Sequence, residues 1–233
     1  LPIPEAERKS AIAERIDSLT GLYRPSEFMR RANTFLKTRR DGTWCVATVD
    51  MGHMRLFNEW HGQAEGDRVL ADAGTVLKNI ENGDMGVAGH WGQDDFCILI
   101  PFEHNTIHQI YSRVREAVAR HDDGVGFWPS MGVYPIDSSE EITIDAQAKA
   151  MYTNQRAKND FKERIAIFCP AEYEREVAFH RTLTEFQYAL SNGRITYHLQ
   201  PQVDMKTGEI IGAEALTRWI DKDSSLISPA TFI

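Results

Sequence analysis

Asp94 and Asp95 stand side by side in Gly92-Gln93-Asp94-Asp95-Phe96, between the apolar runs Val87 to Trp91 and Cys97 to Pro101. Two strand-like runs joined by a short Gly- and Asp-containing segment read as a β-hairpin. Adjacent carboxylates at its tip repel each other unless a cation sits there, and Mg²⁺ commonly takes one or two carboxylates plus the phosphates of a substrate. The plainer reading is a solvated Asp-rich turn. Asp50 ends the apolar run Trp44 to Val49. If that strand lies beside the hairpin, Asp50 and Asp94 converge on one metal site. Asn58 and Asp67 could together present the amide and the carboxylate that read a guanine edge. Alternatively, Asn58 caps a helix and Gly66-Asp67 starts one.

These residues need elements to position them. Phe28, Ala32, Phe35 and Leu36 fall on one face of a helix that stops near Asp41-Gly42. The strand to Asp50 follows. Val69, Ala73, Val76, Leu77 and Ile80 mark a second helix, closed by Asn82-Gly83, and the hairpin comes next. Ile107, Ile110, Val114, Ala117 and Val118 mark a third helix. Residues 127–134 read as a strand at an edge or irregular position because of Pro129. Ile144, Ala148 and Met151 mark a further helix, and Ile165 to Phe168 a last strand. Interleaved helices around a mostly antiparallel sheet predict an α+β fold of the ferredoxin-like kind.

The pattern changes after Cys169-Pro170. Phe179, Leu183, Phe186 and Leu190 mark a helix ended by Asn192-Gly193, followed by strands over 195–199 and 209–216. The expected organisation is a connector helix over 1–16, one domain over 17–169 and the start of another over 170–233.

The net charge of −8 argues against a nucleic-acid or anionic-membrane surface. An acidic protein that binds an anionic ligand needs a mediating cation. Cys45, Cys97 and Cys169 are far apart in apolar runs and are expected to be reduced thiols of a cytosolic protein. No apolar run approaches the ~20 residues of a membrane span.

Residues 17–169 resemble a GGDEF domain, the diguanylate cyclase family that condenses two GTP molecules into cyclic di-GMP. Asp17-Ser18-Leu19-Thr20-Gly21-Leu22 resembles its D-x-LTGL opening, and Asp50 to Leu70 its D-x-D-x-F-K-x-x-N-D…GH-x-x-GD-x-x-L stretch. Gly92 to Phe96 resembles GGDEF itself, and Ser130 to Val133 the later S-x-G-V. The resemblance implies a nucleotidyl-cyclase fold with helices flanking the sheet. Asp50 and Asp94 match metal carboxylates for Mg²⁺ (or Mn²⁺), Asp94 and Asp95 the catalytic pair, Asn58 and Asp67 the guanine readers. Arg55 matches the phosphate-facing Lys. The departures are several: Gln93 replaces the second glycine, Asp95 the glutamate, Gly52 the second carboxylate of D-x-D, Met54 the aromatic, and His90 the preceding arginine. The two late cations align with Gln155 and Asn159, and the R-x-x-D product site falls at Gly83 and Gly86.

Tyr197-His198-Leu199-Gln200-Pro201 and Ile210 to Trp219 resemble the YYQPIV and IVGAEALLRW stretches of EAL-type cyclic-di-GMP phosphodiesterases, and Ser228 to Ile233 the SPxxFI that follows. By that resemblance Glu214 is a metal ligand, and Gln200 and Arg218 contact the dinucleotide. The family fold is a modified TIM barrel of roughly 250 residues, so 170–233 is expected to be its opening part and not hydrolytic by itself. The expected function is a degenerate cyclase domain regulating an EAL phosphodiesterase, as a GTP-responsive or dimerising module. The alternatives are an active diguanylate cyclase and a ligand-free scaffold. The implied partners are GTP or cyclic di-GMP, a second copy of the chain and an upstream sensor domain. The implied location is the bacterial cytoplasm, or the cytosolic part of a membrane-anchored sensor.

Overall fold

Strand β1 (Trp44–Asp50) is buried along its whole length, as a near-continuous apolar run requires when both faces of a sheet are covered. The computed structural model describes residues 14–39, 43–122, 124–136, 142, 144–223, 225–229 and 232. Its order is α1 (Pro25–Thr38), β1, α2 (Met54–His61), α3 (Gln63–Asn82), β2 (Val87–Gly92), β3 (Asp95–Pro101), α4 (His104–Ala119), β4 (Ser130–Ile136), α5 (Ile144–Asn159) and β5 (Ile165–Ile167). The second unit follows with α6 (Pro170–Ser191), β6 (Ile195–Val203), β7 (Ile210–Ile220) and β8 (Leu226–Ile227). The chain divides into compact units over 1–168 and 169–233.

The first sheet runs β2-β3-β1-β4-β5. Its pairs are antiparallel except β4 with β5. This is the ferredoxin-like order with one short parallel strand added, an α+β fold as expected. The period-2 alternation of β1 sorts its side chains between two cores. Cys45, Ala47 and Val49 meet Phe57 of α2, Leu77 of α3 and Val114 of α4. Trp44 and Val46 share the other core with Phe28 of α1 and Ala150 of α5.

The structure revises several expectations. Helix α2 was not marked by periodicity, because it is short and only Met54 and Phe57 are buried. Strand β4 starts after Pro129 and lies inside the sheet, between β1 and β5. Its own Pro135 sits beyond the three residues that pair with β5, so the missing N–H interrupts no ladder there. The apolar face read from Ile144, Ala148 and Met151 is also displaced. Ile144 is 77% exposed, and α5 buries Ala146, Ala150, Thr153, Asn154 and Ala157 instead. Small residues serve there because the helix lies close on the sheet at Gly132, where a Cβ would stand 2.2 Å from the Ala150 carbonyl oxygen. The connector helix falls largely on residues 1–13, and the stop at Asp41-Gly42 on residues 41–42, both outside the described residues. Glu14 and Arg15 form a turn.

In the second unit β6, β7 and β8 form an antiparallel sheet, with no closed barrel among the described residues. Trp219 is buried against Phe186 and Phe232.

Candidate nucleotide site at the signature hairpin

Strands β2 and β3 leave only Gln93 and Asp94 between them, so the hairpin reads as expected. Gln93 has φ 52°, a left-handed conformation that glycine adopts without strain. His90 ties the hairpin down. Its Nδ1 lies 3.2 Å from Asp17 Oδ1 and its Nε2 3.2 Å from the Gln93 carbonyl oxygen. Asp17 Oδ1 also accepts hydrogen bonds from the Thr20 N–H and hydroxyl, both at 3.0 Å. The opening turn and the signature hairpin are therefore one hydrogen-bonded assembly. The Asp17 carboxyl lies below its usual range, because those bonds and His90 outweigh its burial.

The β1–β3 register places Asp50 directly opposite Asp95. Directly opposed residues share a sheet face, here the one covered by α5. Lys158 of α5 donates from Nζ to Asp50 Oδ2 at 2.9 Å. Asp50 Oδ1 is buried without a hydrogen-bond partner. Burial raises the Asp50 carboxyl even against Lys158. Asp95 is pushed up to about 6, first by burial and then by the charges of Asp50 and Asp94. Asp94 accepts the Met51 N–H through its main-chain oxygen at 3.1 Å. Asp94 lines a cleft of about 540 Å³ with Met54, Arg55, Asn58, Gln63 and Gln93.

A raised carboxyl destabilises the folded state once it ionises. Asp95→Asn is therefore expected to stabilise the chain in divalent-free buffer. The gain should open above pH 3.8 and level off beyond about 6. Urea denaturation at pH 4 and pH 8 reads this, and an equal effect at both would contradict it.

Asn58 sits in the last turn of α2 and Asp67 in the first turns of α3. Asn58 caps nothing with its side chain. Its Nδ2 donates to Gln63 Oε1 at 3.3 Å, and Gln63 Nε2 donates to Asp67 Oδ1 at 2.8 Å. The amide and the carboxylate thus flank one side chain. Asn58 Oδ1 is buried and unpartnered. It occupies the space that a side chain on residue 66 would need, since a Cβ on Gly66 would lie 1.8 Å from it. Gly66→Ala is expected to swing the Asn58 amide away and lower affinity for any ligand it holds about tenfold, the size of one or two hydrogen bonds. Thermal unfolding should barely move, because the displaced group is a side-chain end.

In the second unit, Gln200 of β6 lies opposite Glu214 of β7, and Thr196 opposite Arg218. The period-2 rule puts Gln200, Glu214 and Arg218 on one face of the hairpin.

The diguanylate cyclase GGDEF-domain family matches residues 14–160. The chain belongs to the GGDEF family. The EAL-domain family matches residues 183–233. Cyclic di-GMP phosphodiesterase NbdA of Pseudomonas aeruginosa is 24% identical over 233 residues, covering 94% of this chain and 29% of that protein. Cyclic di-GMP phosphodiesterase PdeR of Escherichia coli K12 is 24% identical over 241 residues, covering 98% of this chain and 35% of its own. The chain spans about a third of the length of these two relatives. The S helix-GGDEF-EAL structure of Vibrio cholerae LapD, bound to c-di-GMP, matches with TM-score 0.57 at 15% identity, over 98% of this chain and 54% of that one. The GGDEF domain of DgcB from Caulobacter crescentus, in complex with c-di-GMP, matches with TM-score 0.55 at 18% identity, over 72% and 96%.

Some departures from the GGDEF pattern coincide with close packing. A Cβ on Gly52 would lie 2.6 Å from the Trp128 carbonyl oxygen, so the backbone at Trp128 stands close where D-x-D has its second carboxylate. Gly86, where the aspartate of R-x-x-D would fall, has φ 156° and would place a Cβ 1.8 Å from the Leu99 carbonyl oxygen. Gln155 and Asn159 are exposed. Lys158, one residue before Asn159, brings a cation to the sheet and pairs with Asp50. Sequence spacing missed it because only the helical phase turns 158 toward β1. Among the described residues, no three His, Cys, Asp or Glu side chains are gathered closely enough to hold a metal by themselves. The donors that are present still fit a hard dication. Asp50 keeps one buried, unpartnered oxygen, with two more carboxylates on the hairpin, and phosphate oxygens complete such sites. No helix of the described residues is long and apolar enough to cross a membrane.

Proposed function

We propose that the GGDEF unit is a degenerate cyclase that binds a guanine nucleotide with Mg²⁺ or Mn²⁺ and regulates an EAL-type cyclic-di-GMP phosphodiesterase. The observation that carries this is the survival of the base half of the site without the phosphate half. Asn58 and Asp94 border one cleft with Gln63, and Gln63 donates from there to Asp67 Oδ1. Gln155 and Asn159 offer no charge, and Arg55 is 94% exposed beside Glu59. Each charge-assisted contact to phosphate that is absent forgoes roughly 1.5–3 kcal/mol, and condensing two triphosphates depends on such contacts.

In this reading Asn58 and Asp67 hold the base. Asp50 and Asp94, with Asp95 beside them, would hold the dication, which when bound offsets phosphate charge. Gln93 narrows the space that a glycine leaves for the nucleotide. The unit acts as a homodimer, receives its input from an upstream sensor domain, and passes it to the barrel that 170–233 begins. There Glu214 is a metal ligand, and Gln200 and Arg218 hold the dinucleotide. The similarity to NbdA and PdeR, both named cyclic di-GMP phosphodiesterases, supports this assignment.

Product analysis of the purified chain incubated with GTP and Mg²⁺ tests the degenerate character. No cyclic di-GMP is expected, and its accumulation would make the protein an active cyclase. A ligand-free scaffold is the second reading, favoured by Lys158 already neutralising Asp50.

A further inference from the structure

Gln63 spans the two base-reading side chains, accepting from Asn58 Nδ2 at 3.3 Å and donating to Asp67 Oδ1 at 2.8 Å. A primary amide presents a carbonyl acceptor next to an N–H donor. The pairing edge of guanine does the same, with its ring carbonyl next to its ring N–H. From this juxtaposition we infer that Gln63 is a resident mimic of the guanine edge, which a guanine nucleotide must displace to enter the cleft. The inference rests on the reading of Asn58 and Asp67 as base readers.

The surroundings agree with an exchangeable occupant. Gln63 is exposed and opens α3 directly after Gly62, whose φ of 87° breaks the chain from α2. Gln63 lines the same cleft as Asn58 and Asp94. Asn58 Oδ1 is buried beside Gly66 while its Nδ2 faces Gln63, where a base carbonyl would stand in its place. Displacement exchanges the two hydrogen bonds of Gln63 for those of the nucleotide, so Gln63 sets a threshold on nucleotide concentration and leaves the bound geometry unchanged.

The test is calorimetric titration of the whole chain with GTP and Mg²⁺, comparing wild type with Gln63→Ala, each also carrying Asp67→Ala. Gln63→Ala is expected to bind about tenfold more tightly, the worth of two exposed hydrogen bonds no longer to be broken, while Asp67→Ala abolishes binding in both backgrounds. Side-chain amide NMR supplies a second readout. The Gln63 NH₂ signals of the wild type should shift on GTP saturation. Equal or weaker binding by Gln63→Ala, with Asp67→Ala still abolishing it, would overturn the mimic and leave the base-reading pair standing. Unshifted Gln63 signals at saturation would overturn it as well. GTP binding by none of the variants would overturn the base-reading assignment and the inference with it.

Discussion

Gly132→Ala is expected to unfold the GGDEF unit or to cost it more than about 3 kcal/mol. Gly132 lies in β4, paired with Thr48 of β1 and Ala166 of β5. A methyl group there would stand 2.2 Å from both the Ala150 carbonyl oxygen and the Asn154 nitrogen, and 2.6 Å from the Asn154 Cα. All three are main-chain atoms of α5, so no rotamer change relieves the clash. The helix would have to lift off the sheet. It would then uncover Ala146, Ala150 and Ala157 and lose the Asn154 bond to the Thr48 carbonyl oxygen. It would also withdraw Lys158 from Asp50. Interiors packed at crystal density have no slack for such a shift. Urea denaturation reads the effect, and a loss below about 1 kcal/mol would show that α5 is not held as close as described.

The second large effect concerns the ion pair itself. Lys158→Met, which keeps the stem and removes the charge, is expected to destabilise the unit by about 2 kcal/mol in EDTA. Removing one partner of a fully buried pair costs about 3–5 kcal/mol. Here Asp50 is 11% exposed and Lys158 30%, so solvent screening reduces the figure. With Lys158 gone, Asp50 keeps a buried carboxylate whose other oxygen already lacks a partner. Millimolar Mg²⁺ should then restore stability to the variant by binding the folded state alone. Wild type should gain less, because its dication must first displace an ammonium. Thermal unfolding with and without MgCl₂ distinguishes the cases. A variant as stable as wild type in EDTA, or one that Mg²⁺ does not rescue, would mean that Asp50 is neither held by Lys158 nor open to a metal.

The sheet and its long helices are legible in the sequence because burial leaves a period. The apolar run over 44–49 and the spacing of Val69, Ala73, Leu77 and Ile80 both follow from faces that must be covered. Helix α5 was misphased for a related reason. It is held close to the sheet by small and polar residues, so its large apolar side chains mark an exposed face, as Ile144 shows. The hairpin tip was readable from its turn residues, but the register sets Asp95 opposite Asp50, whereas the sequence reading pairs Asp50 with Asp94. Lys158 and Gln63 were not readable. Each matters through a contact made in three dimensions, Lys158 across 108 residues of sequence and Gln63 through a bridge between two helices. Gln63 does stand where the family's G-H dipeptide carries its histidine, and that substitution was the one available signal. Gln93 shows the opposite case, a departure visible in the sequence whose consequence, a non-glycine residue held at φ 52°, shows only in the fold.

The most direct test of the guanine-nucleotide reading is a calorimetric titration of the chain with GTP, with and without Mg²⁺, against Asp67→Ala. Saturable binding that needs Mg²⁺ and is lost in Asp67→Ala is the expected result. Absence of binding at millimolar GTP, or binding that survives both the loss of Mg²⁺ and Asp67→Ala, would contradict it and leave the unit a scaffold.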